Sequence, residues 1–287
     1  MRITAKTRIC AVIGDPVEHS LSPLIHNAAF EALGLDYAYV AFHVKRGEVG
    51  EAIQGVRVLG IHGLSVTIPH KADVIPHLDA IDPMAEGVGS VNTIAREDDR
   101  LVGYSSDGAG AIRALEEAGV QPAGRRVLLL GSGGAARAIA FALSALAPLP
   151  SVRILGIERP ELERLALDLR ARTHLKPSID DLGRASLSSA MAEAEVVIHA
   201  TPVGMAPKSG ETLVPAELIR RGQVVFDVVY TPLETRLLRE ARAAGALAVA
   251  GLGMFVHQAA VQFELWTGKR APVELMRRVV LEALGGA

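Results

Sequence analysis

Four short stretches within the first 108 residues carry side chains suited to holding a small polar molecule and moving a proton on it. Ser20-Leu21-Ser22-Pro23 sets two hydroxyls around a helix start. Val66-Thr67-Ile68-Pro69-His70-Lys71 puts a hydroxyl at a strand end and an ammonium just past a proline. Gly89-Ser90-Val91-Asn92-Thr93 puts an amide in a strand, where asparagine is disfavoured. Ser105-Ser106-Asp107-Gly108 puts a carboxylate at a helix start. Each has a plainer reading: Ser22 and Asp107 suit helix N-caps, and Lys71 alone suits a solvated loop, as His70 does. Taken together, hydroxyls, an amide, a lysine and a carboxylate at strand ends and helix starts are what a polyhydroxylated acid needs. An ammonium such as that of Lys71 can give a proton to a carbonyl oxygen under reduction.

A second kind of chemistry lies in Leu128-Leu129-Leu130-Gly131-Ser132-Gly133-Gly134-Ala135-Ala136-Arg137-Ala138. An apolar strand ends at Gly131 and a helix begins within about three residues, in the spacing G-x-G-G-x-x-x-A. Small residues let the backbone approach a pyrophosphate, whose charge then sits at the helix N-terminus. An ordinary tight βα turn uses the same glycines; the strand before and helix after favour a dinucleotide, held by Gly131, Ser132, Gly133, Gly134 and Ala135. The next strand ends in Ile157-Glu158-Arg159-Pro160. A carboxylate there accepts both adenosine ribose hydroxyls and favours NAD. It repels a 2′-phosphate by roughly 1–3 kcal/mol at about 5 Å. Arg159 can offset this by pairing with the phosphate or stacking on the adenine. Plain surface pairing of Glu158 and Arg159 is the alternative.

The elements that must position these residues alternate. Strands are expected at Arg8–Ile13, Tyr37–Val44, Gly63–Ile68, Ser90–Ala95, Leu101–Tyr104, Arg126–Leu130, Val152–Ile157, Glu195–Ala200 and Val224–Val229. Helices are expected at Ser22–Leu33, Gly47–Leu59, Asp107–Ala118, Ala135–Leu146, Glu161–Arg172, Gly253–Thr267 and Pro272–Leu284. The fifth and sixth strands read as a hairpin turning at Glu97-Asp98-Asp99-Arg100. Such alternation implies an α/β fold with mainly parallel sheets covered on both faces. At 287 residues the chain suits two domains. A net charge of −2 gives no electrostatic reason for nucleic acid or an anionic membrane as partner. No run of about 18 apolar residues suggests a membrane span. The N-terminus has no signal-like apolar core, so a cytoplasmic protein is expected. A single cysteine, Cys10, excludes an intrachain disulfide, and the scattered histidines give no metal site.

These stretches, in this order, resemble the shikimate dehydrogenase family over almost the whole chain. Further matching pieces are Ala200-Thr201-Pro202-Val203-Gly204-Met205, Asp227-Val228-Val229-Tyr230-Thr231-Pro232, Gly251-Leu252-Gly253-Met254 running on to Gln258-Ala259, and Trp266-Thr267-Gly268. The resemblance implies a Rossmann-type nucleotide-binding domain (108–251) and a second α/β substrate-binding catalytic domain (1–107 with 252–287), with a cleft between them. It implies reversible hydride transfer at C3 between shikimate and 3-dehydroshikimate, in aromatic amino acid biosynthesis. By position, Ser20 and Ser22 would bind the substrate carboxylate. Thr67, Asn92, Asp107, Tyr230 and Gln258 would surround the ring and its hydroxyls. Lys71 would be the acid/base, held in place by Asp107. Thr201 and Met205 would lie near the cofactor, with Val228 and Gly251 near the nicotinamide. NADP(H) is the family default, and Glu158 in place of the usual asparagine makes NAD(H) the alternative. An NAD-linked quinate/shikimate dehydrogenase and a non-catalytic sensor on the same fold are the competing readings. Besides Glu158, three departures from the family pattern stand out: Ser105-Ser106 replaces Asn-Thr, His199 replaces the asparagine before Ala-Thr-Pro and is expected to be structural, and Glu163 replaces a basic residue. A monomer or homodimer is expected.

Overall fold

A computed structural model describes residues 3–146 and 149–285. The chain divides into two compact units, Met1–Ser106 with Val256–Ala287, and Asp107–Phe255.

The first unit contains β1 (Arg8–Gly14), α1 (Ser22–Ala32), β2 (Tyr37–His43), α2 (Val49–Val58), β3 (Gly63–Val66), β4 (Ala80–Ile81), α3 (Pro83–Val88), β5 (Thr93–Glu97) and β6 (Arg100–Tyr104). Their sheet runs β2-β1-β3-β5-β6-β4. Strands β1, β2 and β3 are parallel, and β5 is antiparallel to both β3 and β6. The expected hairpin closes with Glu97 opposite Arg100. Asp98 there has φ +53°, a conformation aspartate tolerates better than most residues. Asn92 is not inside a strand as the sequence suggests; it lies one residue before β5. Its backbone nevertheless bridges two strand ends, accepting from Val66 N–H and donating to Tyr104 O.

The second unit contains α4 (Asp107–Glu117), β7 (Arg126–Leu130), α5 (Gly134–Ser144), β8 (Ser151–Gly156), α6 (Arg159–Arg172), β9 (Ser178–Asp181), α7 (Arg184–Glu193), β10 (Val196–His199), β11 (Val224–Asp227), α8 (Arg236–Ala243) and β12 (Leu247–Ala250). The sheet runs β12-β11-β10-β7-β8-β9, and every pairing in it is parallel. Its central strands are continuous apolar runs because both faces are covered: Leu128–Leu130, Val196–Ile198 and Val225–Phe226 are buried. Helix α9 (Gly251–Thr267) starts in this unit and continues into the first, where α10 (Val273–Ala283) packs on α1.

Several elements were not anticipated. β9 (Ser-Ile-Asp-Asp) is a polar edge strand, and β12 (Leu-Ala-Val-Ala) is short and alanine-rich, so neither carries a β-branched signature. α3, α7, α8 and β4 were also unforeseen. Helix α6 begins at Arg159 rather than Glu161, because Pro160 is tolerated in a first turn. Glu158 is therefore its N-cap residue.

Candidate functional site

In the first unit, Leu21 and not Ser22 is the N-cap of α1. The Ser20 hydroxyl accepts the Ser22 N–H at 3.3 Å, so Ser20 ties down the helix start. Ser22 is freed from capping, and its buried hydroxyl lies near the Tyr39 phenol on β2. From there a buried polar run crosses the unit. Tyr39 Oη donates to Ser65 Oγ at 2.7 Å, and Ser65 Oγ donates to Gln262 Oε1 at 2.8 Å. Gln262 Nε2 donates to the Asn92 carbonyl (3.2 Å) and to Thr93 Oγ1 (3.0 Å). Asn92 Oδ1 accepts from Thr93 Oγ1 and from Ser106 N–H, both at 2.8 Å, and Asn92 Nδ2 donates to Ser106 Oγ at 3.0 Å. The orientation of the Asn92 amide follows: its oxygen faces the donors and its nitrogen the Ser106 hydroxyl. Ser106, where the family has threonine, thus serves Asn92. Burial pushes the Tyr39 phenol above its usual pKa.

Thr67 follows β3, its N–H on the Ile13 carbonyl at 3.0 Å. Gly14 makes room for it: a Cβ there would lie 2.5 Å from Thr67 Cγ2. Lys71 is half-buried in the following turn, and its carbonyl accepts the Val91 N–H at 2.8 Å, tying the lysine to the segment that leads into Asn92. His70 is not a solvated loop residue. It is fully buried with Nε2 2.6 Å from the Val44 carbonyl, and it anchors the Lys71 turn from beneath. Gln258 is half-buried on α9, one turn before Gln262 and on the same helix side.

In the second unit, Asp107 is the first residue of α4 and is half-buried. Gly108 beside it lets α4 approach α5, since a Cβ there would lie 2.4 Å from the Ala138 carbonyl. The glycine turn joins β7 to α5. Gly131 has φ +117°, and a Cβ there would lie 2.6 Å from the Ala200 carbonyl. Gly133 and Gly134 are exposed, with no neighbour within 4 Å of an added Cβ. Gly133 caps α5 without a side-chain hydrogen bond. An open approach over uncapped helix N–H groups fits a pyrophosphate. Ser132 is buried, its hydroxyl on Glu161 Oε2 at 3.4 Å, and Ala135 is half-buried.

Glu158 and Arg159 are exposed. Arg159 Nε lies 2.7 Å from Glu163 Oε1 and its NH1 3.4 Å from Asp181 Oδ1, and these carboxylates raise its pKa further. Thr201 and the exposed Met205 follow β10. Thr201 Cγ2 would lie 3.2 Å from a Cβ at Gly131, so Thr201 borders the glycine turn. Val228 and Gly251 also meet: a Cβ at Gly251 would lie 2.3 Å from the Val228 carbonyl. Tyr230 stacks on Phe255 with ring centres 4.7 Å apart, and burial raises its phenol pKa. His199 is buried and hydrogen-bonded to Thr201 and Asp227.

Tyr39, Ser65, Thr93, Gln262 and Thr235 were not singled out from the sequence. The one readable signal was Gln262, a glutamine within an apolar helix, four residues after Gln258.

Two α/β units, one a six-stranded all-parallel sheet with an open glycine turn at the carboxyl end of its central strand, define a two-domain Rossmann-type dehydrogenase. Residues 12–94 match the profile of the shikimate dehydrogenase substrate binding domain, and residues 251–281 that of the shikimate 5′-dehydrogenase C-terminal domain. A shikimate dehydrogenase (NADP(+)) of Moorella thermoacetica is 47% identical over 288 residues, covering 100% of this chain and 97% of that one. The solved structure of shikimate 5-dehydrogenase from Listeria monocytogenes, in complex with shikimate and NAD, aligns with a TM-score of 0.93 at 38% identity over 98% of both chains. That from Thermus thermophilus, in complex with NADP(H) and shikimate, aligns at 0.86 and 35% identity, over 97% of this chain and 100% of the other. The chain belongs to the shikimate dehydrogenase family.

Proposed function

We propose that the protein is a shikimate dehydrogenase, reducing 3-dehydroshikimate to shikimate reversibly with NADP(H). The observation that carries this reading is the 47% identity spanning the entire chain. The first unit is the substrate-binding catalytic domain and the second the dinucleotide-binding domain. Ser20 and Ser22 hold the substrate carboxylate, and Thr67, Asn92, Tyr230 and Gln258 hold the ring hydroxyls. When bound, a reduced nicotinamide supplies the hydride to C3. Lys71 gives its ammonium proton to the C3 oxygen as the carbonyl is reduced, and takes it back in the reverse direction. Asp107 holds Lys71 in place. Gly131, Ser132, Gly133, Gly134 and Ala135 cradle the pyrophosphate, Thr201 and Met205 contact the cofactor, and Val228 and Gly251 back the nicotinamide. The enzyme works in the cytoplasm on a small-molecule substrate, as a monomer or homodimer without nucleic acid.

One observation favours NAD(H) as the second reading. Arg159 is engaged by Glu163 and Asp181, and Glu158 stands beside it, so the 2′-phosphate position is ringed by carboxylates. Steady-state oxidation of shikimate with NADP and with NAD tests both. A marked NADP preference means Arg159 leaves Glu163 for the phosphate. An NAD preference means Glu158 reads the ribose, and the enzyme is then better described as a quinate/shikimate dehydrogenase. Turnover with neither cofactor would overturn the enzymatic reading.

A further inference from the structure

The second unit holds a relay of side chains, buried except at Thr201, of which the proposed reaction uses Thr201 alone. Asp227, at the end of β11, is fully buried. Its Oδ2 accepts from Thr235 Oγ1 at 2.6 Å, and its Oδ1 accepts from Val229 N–H at 3.1 Å and faces His199 Nδ1 at 2.9 Å. His199, at the end of β10, is 1% exposed, and its other nitrogen, Nε2, lies 2.5 Å from Thr201 Oγ1. Thr201 Oγ1 also accepts the Val203 N–H at 3.3 Å.

The hydrogen-bond polarity of this relay follows for a neutral imidazole. A carboxylate only accepts, so His199 Nδ1 carries the hydrogen. In that tautomer Nε2 offers a lone pair, and the Thr201 hydroxyl donates into it. With one lone pair of Thr201 Oγ1 given to Val203, the other remains to accept a further donor. Thr201 sits beside the glycine turn, next to Gly131. In the sheet order, β10 and β8 flank β7 on opposite sides. Glu158 follows β8, on the adenosine side, so Thr201 stands on the nicotinamide side.

We propose that His199 is a positioning residue which, held by Asp227 and Thr235, makes Thr201 a hydrogen-bond acceptor for a donor group on the nicotinamide half of the dinucleotide. The proposal rests on the reading of Thr201 as a cofactor residue. His199, one of the departures from the family pattern, thereby acquires a role in cofactor orientation rather than in packing alone. A fixed threonine hydroxyl loses little freedom on binding, and its inward donor is already satisfied, so it does not compete for the cofactor's own acceptors.

The test reads hydrogen position and affinity separately. A two-bond ¹H–¹⁵N spectrum of the ¹⁵N-labelled apoprotein, with His199 assigned by its loss in His199→Asn, is expected to show the Nδ1–H tautomer. Isothermal titration with NADPH is expected to show Kd raised about fivefold in Thr201→Val and in His199→Asn, no further rise in the double variant, and near wild-type Kd in Thr201→Ser. Titration with adenosine 2′,5′-bisphosphate, which lacks the nicotinamide half, is expected to show no change in any variant. An Nε2–H ring, additive effects of the two substitutions, or an equal loss for the bisphosphate would overturn the proposal. If His199→Asn does not fold, His199→Gln supplies the assignment, and the Val/Ser pair at Thr201 still decides the affinity. Absence of shikimate turnover alongside the expected tautomer and binding cycle would sink the proposed function and leave the relay standing.

Discussion

Lys71 and Arg159 illustrate how the same kind of charge serves different ends. Lys71 is half-buried in a turn anchored below by His70 and beside it by the Lys71 carbonyl–Val91 bond, so backbone contacts fix the turn that carries it. Lys71→Ala is expected to lower kcat by about 10²- to 10⁴-fold with KM for shikimate nearly unchanged. Steady-state kinetics check this, and a large rise in KM at constant kcat would make Lys71 a binding residue. Arg159 is exposed and held by two exposed carboxylates, contacts that contribute little to stability. Arg159→Ala should leave the melting temperature within a few degrees while raising KM for NADP several-fold more than KM for NAD. Equal effects on both cofactors would exclude a role at the 2′-phosphate.

At the scale of elements, the buried run from Tyr39 through Ser65, Gln262 and Thr93 to Asn92 and Ser106 joins β2, β3, α9 and the start of β5. Gln262 is its junction, with one acceptor and two donor bonds to buried partners. Gln262→Leu removes all three of these buried hydrogen bonds and is expected to cost about 2–4 kcal/mol, read from urea unfolding. It also loosens the Asn92 backbone and the Thr93 hydroxyl that bonds the Asn92 amide, so KM for shikimate should rise about tenfold in whatever protein remains folded. An unchanged KM would make the run a packing device only. A comparable constraint joins β11 to α9 in the second unit, where Gly251 leaves no space for a methyl group beside the Val228 carbonyl. Gly251→Ala should weaken cofactor binding and lower stability by about 1–3 kcal/mol.

At the scale of the molecule, acid sensitivity is built into the first unit. His26 on α1 is fully buried, stacked on Tyr39 with ring centres 4.5 Å apart and close to Trp266. Burial pushes its pKa down to about 3. An unfolded chain with His26 near 6.5 binds a proton between those values while the folded protein does not. Stability from this source is therefore complete above about pH 6.5 and declines as pH falls toward 3, by up to roughly 5 kcal/mol. Urea midpoints at pH 7, 6, 5 and 4 should show this decline, and His26→Phe, which keeps a stacked ring, should flatten it. A slope unchanged in that variant would assign the acid lability elsewhere. No helix among the described residues is long and apolar enough to cross a membrane.

The elements that carry a strong period or a sharp stop were legible in the chain itself. Strand β7 and the glycine turn, the Asp98-Asp99 hairpin and helix α1 behind Pro23 all depend on local rules: apolar runs, backbone freedom at glycine, the fixed φ of proline. The candidate residues Ser20, Ser22, Thr67, Lys71, Asn92 and Asp107 were legible for the same reason, since polar groups at element ends stand out against an apolar background. Tertiary structure alone decided what those groups touch. Ser22 was expected to cap a helix and instead is buried without capping it, while Ser20 takes the helix N–H. His70 was expected in solvent and is buried. His199, Asp227 and Thr235 lie up to 36 residues apart and meet only because parallel pairing sets β10 beside β11. A hydrogen bond between distant residues leaves no period or spacing in the sequence; it exists only once the sheet register has brought its two ends within 3 Å.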